Sequence, residues 1–229
     1  MILFANKDVL ALDKPPGVSM ATSSKEGKSA EDAVRRLLAV CGVVPPDPLP
    51  LLVHRLDAGT SGVVLFAKTP AAHRALSLSL QERRARKTYR ALVWGHPVPA
   101  KGTIDLALAR DQKDGRKMRV GADGKPSVTL YATLRRFPSL ADLELHPETG
   151  RTHQIRVHLS AKGHPIVGDD FYGGASRWHG VRDRALREAL AGLTHPLLHA
   201  QRIEIREMGL DIEARLPEDY ESVLALLRK

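Results

Sequence analysis

The chain is 229 residues long and carries a formal net charge of +9, with a pI of about 9.9. That length suits one large domain or two small ones with a substantial core, and aromatics at only 4% leave aliphatic side chains to fill it. No apolar stretch approaches the ~20 residues that cross a bilayer, the N-terminus lacks the basic and long apolar segments of a secretion signal, and the lone Cys41 excludes an intramolecular disulfide or a cysteine-based zinc cluster; a cytoplasmic protein is expected.

In chain order, Val9–Lys14 reads as a strand that ends at Pro15-Pro16-Gly17. Ser29 with Asp32 forms the pattern of a capping box, opening a helix to about Val40. Val34, Leu37, Leu38 and Cys41 fall at i, i+3, i+4 and i+7, which places the thiol on the buried face of that helix. A proline-rich connector from Pro45 to Pro50 reads as a rigid loop. The apolar run Leu51 to Val53 predicts a buried strand, followed by the polar segment His54-Arg55-Leu56-Asp57, a tight Gly59-Thr60-Ser61-Gly62 turn and a second apolar run, Val63 to Ala67. Thr69-Pro70 starts a helix, with the proline at its first position and Ala72, Leu76 and Leu80 on one face.

Strand-like runs then dominate: Tyr89 to Trp94, Thr103 to Ala109, Ser127 to Leu134 and Leu140 to Leu145. A helix is expected from about His153 to Lys162, stopped by Gly163. A glycine-rich loop spans Gly168 to Gly180, Arg182 to Ala191 is a second candidate helix, Leu197 to Ile205 a strand, and a terminal helix begins near Pro217 with Tyr220, Val223, Leu224 and Leu227 on one face. With strands outnumbering helices and several neighbours joined as hairpins, the expected class is α+β, one domain over residues 1–229 around a mainly antiparallel or mixed sheet with flanking helices.

Two features carry chemistry. In His54-Arg55-Leu56-Asp57 a basic and an acidic side chain stand two residues apart, where a strand runs into a glycine-bounded turn. Cores do not require that, and loops on rigid strands are where reactive groups sit. On an extended strand Arg55 and Asp57 share a face, while His54 points the other way as a structural residue. The second feature is basic clustering. Arg83, Arg84, Arg86, Lys87 and Arg90 fall within eight residues, and Arg110, Lys113, Arg116, Lys117 and Arg119 form another group diluted by Asp111 and Asp114. Either group alone reads as a solvated face. Together, beside a candidate site, they favour phosphate contacts that hold an RNA in register, with Arg83, Arg84 and Arg86 as the named candidates.

The stretch from His54 to Gly62 closely resembles the catalytic signature of the RluA-type pseudouridine synthases, His-Arg-Leu-Asp-x-x-Thr-Ser-Gly. The likeness extends to Asp13-Lys-Pro-Pro-Gly17, to Lys87–Gly95, to the weaker elements Gly102–Asp105 and Gly124–Thr129, to Gly150-Arg-Thr-His-Gln-Ile-Arg-Val-His-Leu159, to His164–Asp169 with Tyr172-Gly173, and to Leu197–Ala200, in the family order. The chain departs from the pattern at Val18–Ala21, where many members carry a histidine, and at Ala58-Gly59, where a charged pair is usual; both departures bear on substrate preference.

The resemblance implies an enzyme that isomerises uridines of ribosomal or transfer RNA to pseudouridine, with its active site in a cleft of the sheet. It implies Asp57 as the catalytic carboxylate and Arg151, just before a helix, as the cation that orients it. Tyr89 would lie against the uracil ring, where a phenol can also move a proton. Arg55 would assist the flipping of the target base, and Leu198 would form an apolar wall. No metal, nucleotide or other cofactor is expected, nor a small separate RNA-binding domain ahead of the catalytic one, nor assembly beyond a monomer. Whether Asp57 attacks the uracil ring or the anomeric carbon of the sugar stays open.

Other chemistries fit less well. His153 and His158 are five residues apart without a His-Glu-x-x-His pattern, Gly59–Gly62 is not a Gly-x-Ser-x-Gly elbow, and a glycosidase requires two placed carboxylates. The competing class is a non-catalytic RNA-binding or ribosome-assembly protein on the same scaffold. The presence of Asp57, Arg151 and Tyr89 separates the two readings, since a carboxylate repels phosphate and a pure binder has no physical need of it.

Overall fold

The computed structural model describes residues 1–20 and 29–228; Ala21, the last residue of the Val18–Ala21 departure, lies outside them. The chain folds as two compact units, Met1–Lys87 with Ala200–Arg215 and Thr88–His199 with Leu216–Lys229.

In the first unit, β1 (Ile2–Ala5) pairs with β2 (Val9–Lys14), which pairs with β4 (Ser61–Ala67). A two-residue strand, β3 (Leu51–Leu52), lies on the end of β4. The Ala200–Ile205 stretch of β11 (Leu198–Ile205) neighbours β4 on its other side and pairs with β12 (Leu210–Glu213). Two helices complete the unit, α1 (Ala30–Val40) and α2 (Pro70–Gln81). Both begin as expected. Ser29 and Asp32 close a reciprocal capping box, and the Thr69 side chain accepts from Ala72 N with proline at the first helical position. Period-two alternation drives the packing: Val9, Ala11, Val63, Leu65, Ala67, Ile203 and Ile205 face one way and bury Ala72 and Leu76 of α2 against them.

The second unit holds β5 (Arg86–Trp94) after its first two residues, followed in space by β10 (Leu140–Pro147), β9 (Val128–Arg136) and β6 (Lys101–Asp105). A separate hairpin is made by β7 (Leu108–Arg110) and β8 (Met118–Val120). Alternation along β5 decides which helix covers which face. Ala91 and Val93 join Leu143, Leu145, Ile155 and Leu159 under α3 (Gln154–Ala161). Leu92 and Trp94 join Leu186, Leu190, Tyr220, Val223 and Leu224 under α4 (Arg184–Ala191) and α5 (Glu218–Leu227). A polar triad is sealed into this unit: Arg90 pairs with Asp142, and Tyr220 donates to the same carboxylate at 3.0 Å. Among the described residues, the pairings of registered strands are antiparallel, and the class is α+β.

Four expectations need correction. The run Leu51 to Val53 is not a buried strand: Leu51 is exposed, Leu52 half-buried, and regular pairing stops at Leu52. The ladder is taken over by a side chain, for Leu65 N donates to His54 Nε2 at 3.1 Å where a strand carbonyl would otherwise accept. Residues 53–57 are therefore irregular, and the alternation that would put Arg55 and Asp57 on one face does not apply. The run Thr103 to Ala109 divides at Leu106–Ala107, because Leu108 exchanges backbone bonds with Lys125 and leaves the sheet for the hairpin. Cys41 is the half-buried cap residue beyond α1, with its thiol 3.4 Å from the Asp13 carbonyl, and not part of the helix's buried face. Strands β1, β8 and β12 are additional to those the sequence patterns marked.

Candidate active site

Asp57 sits half-buried at the head of a turn that Thr60 closes by donating its N–H to the Asp57 carbonyl at 3.0 Å. Lys14, the last residue of β2, secures this turn from inside. Its side chain is fully buried, and its ammonium donates to the carbonyls of Thr60 at 2.7 Å, Ala58 at 2.9 Å and Pro15 at 3.0 Å. Three donors meet three acceptors. Burial lowers the Lys14 pKa to about 8, and the negative charge of Asp57 opposes that fall. The cation thus remains mainly charged at neutral pH. The far end of the turn is fixed by Gly62, at φ +109°, where a Cβ would lie 2.2 Å from the Ala200 carbonyl oxygen; no other residue type fits. His54 is half-buried and held neutral, its pKa lowered to about 4 by desolvation and the nearby Lys87 charge, which suits its role as acceptor from Leu65 N. The structural assignment of His54 made from sequence agrees with this, and Arg55 is exposed beside it.

In the second unit Arg151 stands three residues ahead of α3, exposed, with Nε 3.4 Å from the Pro126 carbonyl. Gln154 shapes the turn that carries it. The buried Gln154 Oε1 accepts from Arg151 N at 3.0 Å and from the Thr149 hydroxyl at 2.6 Å, while Nε2 donates to Val128 O at 2.9 Å and Thr129 Oγ1 at 3.0 Å. His158 extends the network: its Nε2 lies 3.0 Å from Leu106 O and its Nδ1 2.9 Å from Thr129 Oγ1, and burial lowers its pKa. Tyr89, half-buried opposite Leu145, packs against the same apolar cluster that holds Leu198. Tyr89 and Leu198 thus border one apolar cluster. Asp57 and Arg55 belong to the first unit, and Arg151, Tyr89 and Leu198 to the second.

These elements coincide with a known family. Residues 8–161 match the family described as RNA pseudouridylate synthase. The chain belongs to the RNA pseudouridine synthases. It is 36% identical over 234 residues to ribosomal large subunit pseudouridine synthase D of Pseudomonas aeruginosa, covering 100% of this chain and 72% of that protein. It is also 36% identical over 224 residues to the dual-specificity RNA pseudouridine synthase RluA of Salmonella typhi, covering 96% of this chain and 94% of that protein. Among solved structures, human RNA pseudouridylate synthase domain containing 4 superposes with a TM-score of 0.76 at 26% identity over 99% of this chain and 92% of that one. The protein is thus an isomerase of RNA uridine. No helix among the described residues is long and apolar enough to cross a membrane.

The structure sorts the residues of the basic cluster Arg83–Arg90 by their partners. Arg83 is exposed with a left-handed backbone, φ 60°, and Arg86 is exposed at the start of β5. Arg84 is engaged by acids, Glu82 at 2.9 Å and Glu207 at 2.8 Å, and Glu207 is held in turn by Ser79 at 2.7 Å. Arg90 belongs to the Asp142–Tyr220 triad. Sequence reasoning overlooked Lys14 and Gln154 as site-shaping residues. The signal for Lys14 was present: a lysine closing an apolar strand where alternation calls for a buried side chain.

Proposed function

We propose that this enzyme isomerises specific uridines of ribosomal or transfer RNA to pseudouridine, with Asp57 as its catalytic carboxylate, and that residues 1–229 act as one catalytic domain, monomeric and cytoplasmic. The relatives named for the large ribosomal subunit and for dual specificity support that substrate class. The observation that carries the reading is the Asp57 turn itself. A buried ammonium and a glycine that tolerates no side chain hold a half-buried acid in one conformation, at the position of the family's signature aspartate.

The reaction breaks the bond between the ribose and a uracil nitrogen, turns the base, and rejoins it through a ring carbon that loses its hydrogen. No group is transferred in and nothing is oxidised. The Asp57 carboxylate forms a transient adduct with the nucleotide, on the uracil ring or on the anomeric carbon, or stabilises the cleaved sugar. Arg151 orients that carboxylate. Tyr89 stacks on the detached base and relays the proton of the ring carbon, while Leu198 supports the apolar wall. Because a uridine in folded RNA is stacked, the target must be flipped out at a cost of a few kcal/mol, and exposed Arg55 stabilises the flipped state. Arg83, Arg84 and Arg86 contribute backbone contacts.

The test uses RNA labelled with tritium at the uracil carbon that gives up its hydrogen. The purified protein is expected to release tritium in the presence of a chelator, without nucleotide or other cofactor. A strict requirement for a metal or nucleotide, or no release from any cellular RNA, contradicts the proposal.

A further inference from the structure

The β7–β8 hairpin carries more charge than its size explains. Residues 108–125 hold six basic side chains, Arg110, Lys113, Arg116, Lys117, Arg119 and Lys125, against three acids. The acids and arginines fold it. Asp111 Oδ1 accepts from the N–H groups of Lys113 and Asp114 at 2.8 and 2.9 Å. Asp114 accepts from Arg116 N and Nε at 3.0 Å each, Arg119 pairs with Asp123 at 2.7 Å, and Arg110 donates to the Gly115 carbonyl. The lysines are not needed for these turns, and Lys113 and Lys125 are exposed.

An isolated two-stranded hairpin is marginally stable in water, and this one is anchored. Met118 N donates to the Tyr172 hydroxyl at 2.9 Å, and that hydroxyl lies 2.7 Å from His153 Nδ1. Phe171 lies under the hairpin's cations, its centroid 5.5 Å from Lys117 Nζ and 5.7 Å from Arg116 Cζ. The loop presenting both rings is set by a buried ion pair: Arg156 donates to Asp169 at 2.7 and 2.8 Å, and Asp169 Oδ1 also accepts from Phe171 N and Tyr172 N at 3.1 and 3.3 Å. His153, in the left-handed conformation at φ 55°, is two residues beyond Arg151 in the same turn.

We infer that the β7–β8 hairpin is a phosphate-binding arm for the RNA substrate, and that Tyr172 is a positioning residue fixing this arm to the turn that carries Arg151. The inference rests on the RNA-modifying reading above. Exposed lysines on a folded, tethered support suit a polyphosphate chain, which needs cations held at fixed places and open to solvent. Tethering to the Arg151 turn gives the arm a register relative to the chemistry that a loose loop would lack.

The experiment uses the full chain, a uridine-rich single-stranded RNA as the binding probe, and tritium-labelled cellular RNA for turnover. Replacing Lys113 and Lys125 together by alanine, and leaving Lys117 on Phe171, is expected to lower probe affinity about tenfold at low salt. It should flatten the log–log salt slope by about 1.4, from two contacts at ~0.7 each for single strands, and raise KM more than it lowers kcat. Tyr172→Phe keeps the ring and removes the hydroxyl. It is expected to speed hydrogen exchange at the Met118 amide and to shift KM and slope in the same direction by a smaller amount. A double variant with wild-type affinity and slope overturns the arm, as for a hairpin reserved for an acidic protein or merely solvated; the exposed positions of Lys113 and Lys125 keep this arm of the test readable if Tyr172→Phe folds poorly. Faster Met118 exchange with unchanged KM and slope overturns the role of Tyr172. If the wild-type chain neither binds RNA in a salt-dependent way nor releases tritium, the RNA reading itself fails and the arm with it.

Discussion

The Lys14 ammonium donates to the Thr60 carbonyl at 2.7 Å, across 46 residues of chain, and so ties the end of β2 to the turn that Asp57 opens. With the bond to Ala58 at 2.9 Å, it holds two carbonyls of that turn at once. A buried cation serves here as a backbone clamp, and it also places positive charge beneath the acid proposed to do the chemistry.

Removing the clamp has a stability cost. In Lys14→Met the carbonyls of Pro15, Ala58 and Thr60 lose their donor, and each buried acceptor left unpaired costs roughly 1–3 kcal/mol, partly offset by relief from burying the charge. A net loss of about 1–3 kcal/mol at neutral pH is expected in urea unfolding, together with a fall in kcat as the Asp57 turn loosens. Unchanged stability and kcat would count against the clamp.

The depressed Lys14 pKa fixes a pH signature. Between about 8, its folded value, and 10.5, its unfolded reference, the unfolded chain binds more protons than the folded one. Stability contributed by this group therefore rises with pH across that window, and the penalty of burying the charge is fully present below pH 8. The advantage of wild type over Lys14→Met should widen by up to ~3 kcal/mol from pH 8 toward pH 10.5. Paired unfolding curves check this; a constant difference across the window would contradict it.

Gln154 performs the corresponding task for Arg151. Gln154→Leu strips a buried site of two accepted and two donated bonds, leaving Thr149, Arg151 N, Val128 O and Thr129 to find other partners. A destabilisation of about 2 kcal/mol or more is expected. Turnover should fall further than the lost stability accounts for, because Arg151 is no longer held. Single-turnover kinetics well below the unfolding midpoint separate the two effects, and wild-type turnover there would remove Gln154 from the site.

Much of the fold was legible because local signals agreed with tertiary packing. Strand Val9–Lys14, the Ser29–Asp32 box and the Thr69-Pro70 start all stand where pattern and capping chemistry place them. What escaped depends on partners distant in sequence. The end of β3 is decided by His54 reaching Leu65 N, the break after Thr103–Asp105 by Leu108 pairing with Lys125, and the burial of Lys14 by carbonyls 44 and 46 residues away. At the site, the signature residues Asp57, Arg151 and Tyr89 were readable as types in a pattern. The side chains that hold their turns were harder to read: Lys14 carried a signal in its place at the end of an apolar strand, but its acceptors at Ala58 and Thr60 and those of Gln154 at Val128 and Thr129 are distant in sequence.

The first basic cluster is expected to divide by partner. Arg83 and Arg86 are exposed, whereas Arg84 is engaged by Glu82 and Glu207. Arg83→Ala with Arg86→Ala should flatten the salt dependence of RNA binding by about 1.4, two contacts at ~0.7 each. Arg84→Ala should change the slope by less than either single replacement. Salt titrations of affinity read this directly, and a larger effect from Arg84 would show that its acids release it to the RNA.

Asp57→Asn asks whether the Asp57 carboxylate carries the chemistry. The amide is nearly isosteric and cannot act as an anionic nucleophile. Measured side by side on tritium-labelled RNA, the variant is expected to bind RNA as wild type does, unfold at the same denaturant midpoint within about 0.5 kcal/mol, and release no tritium above background. Tritium release near the wild-type rate would contradict the account.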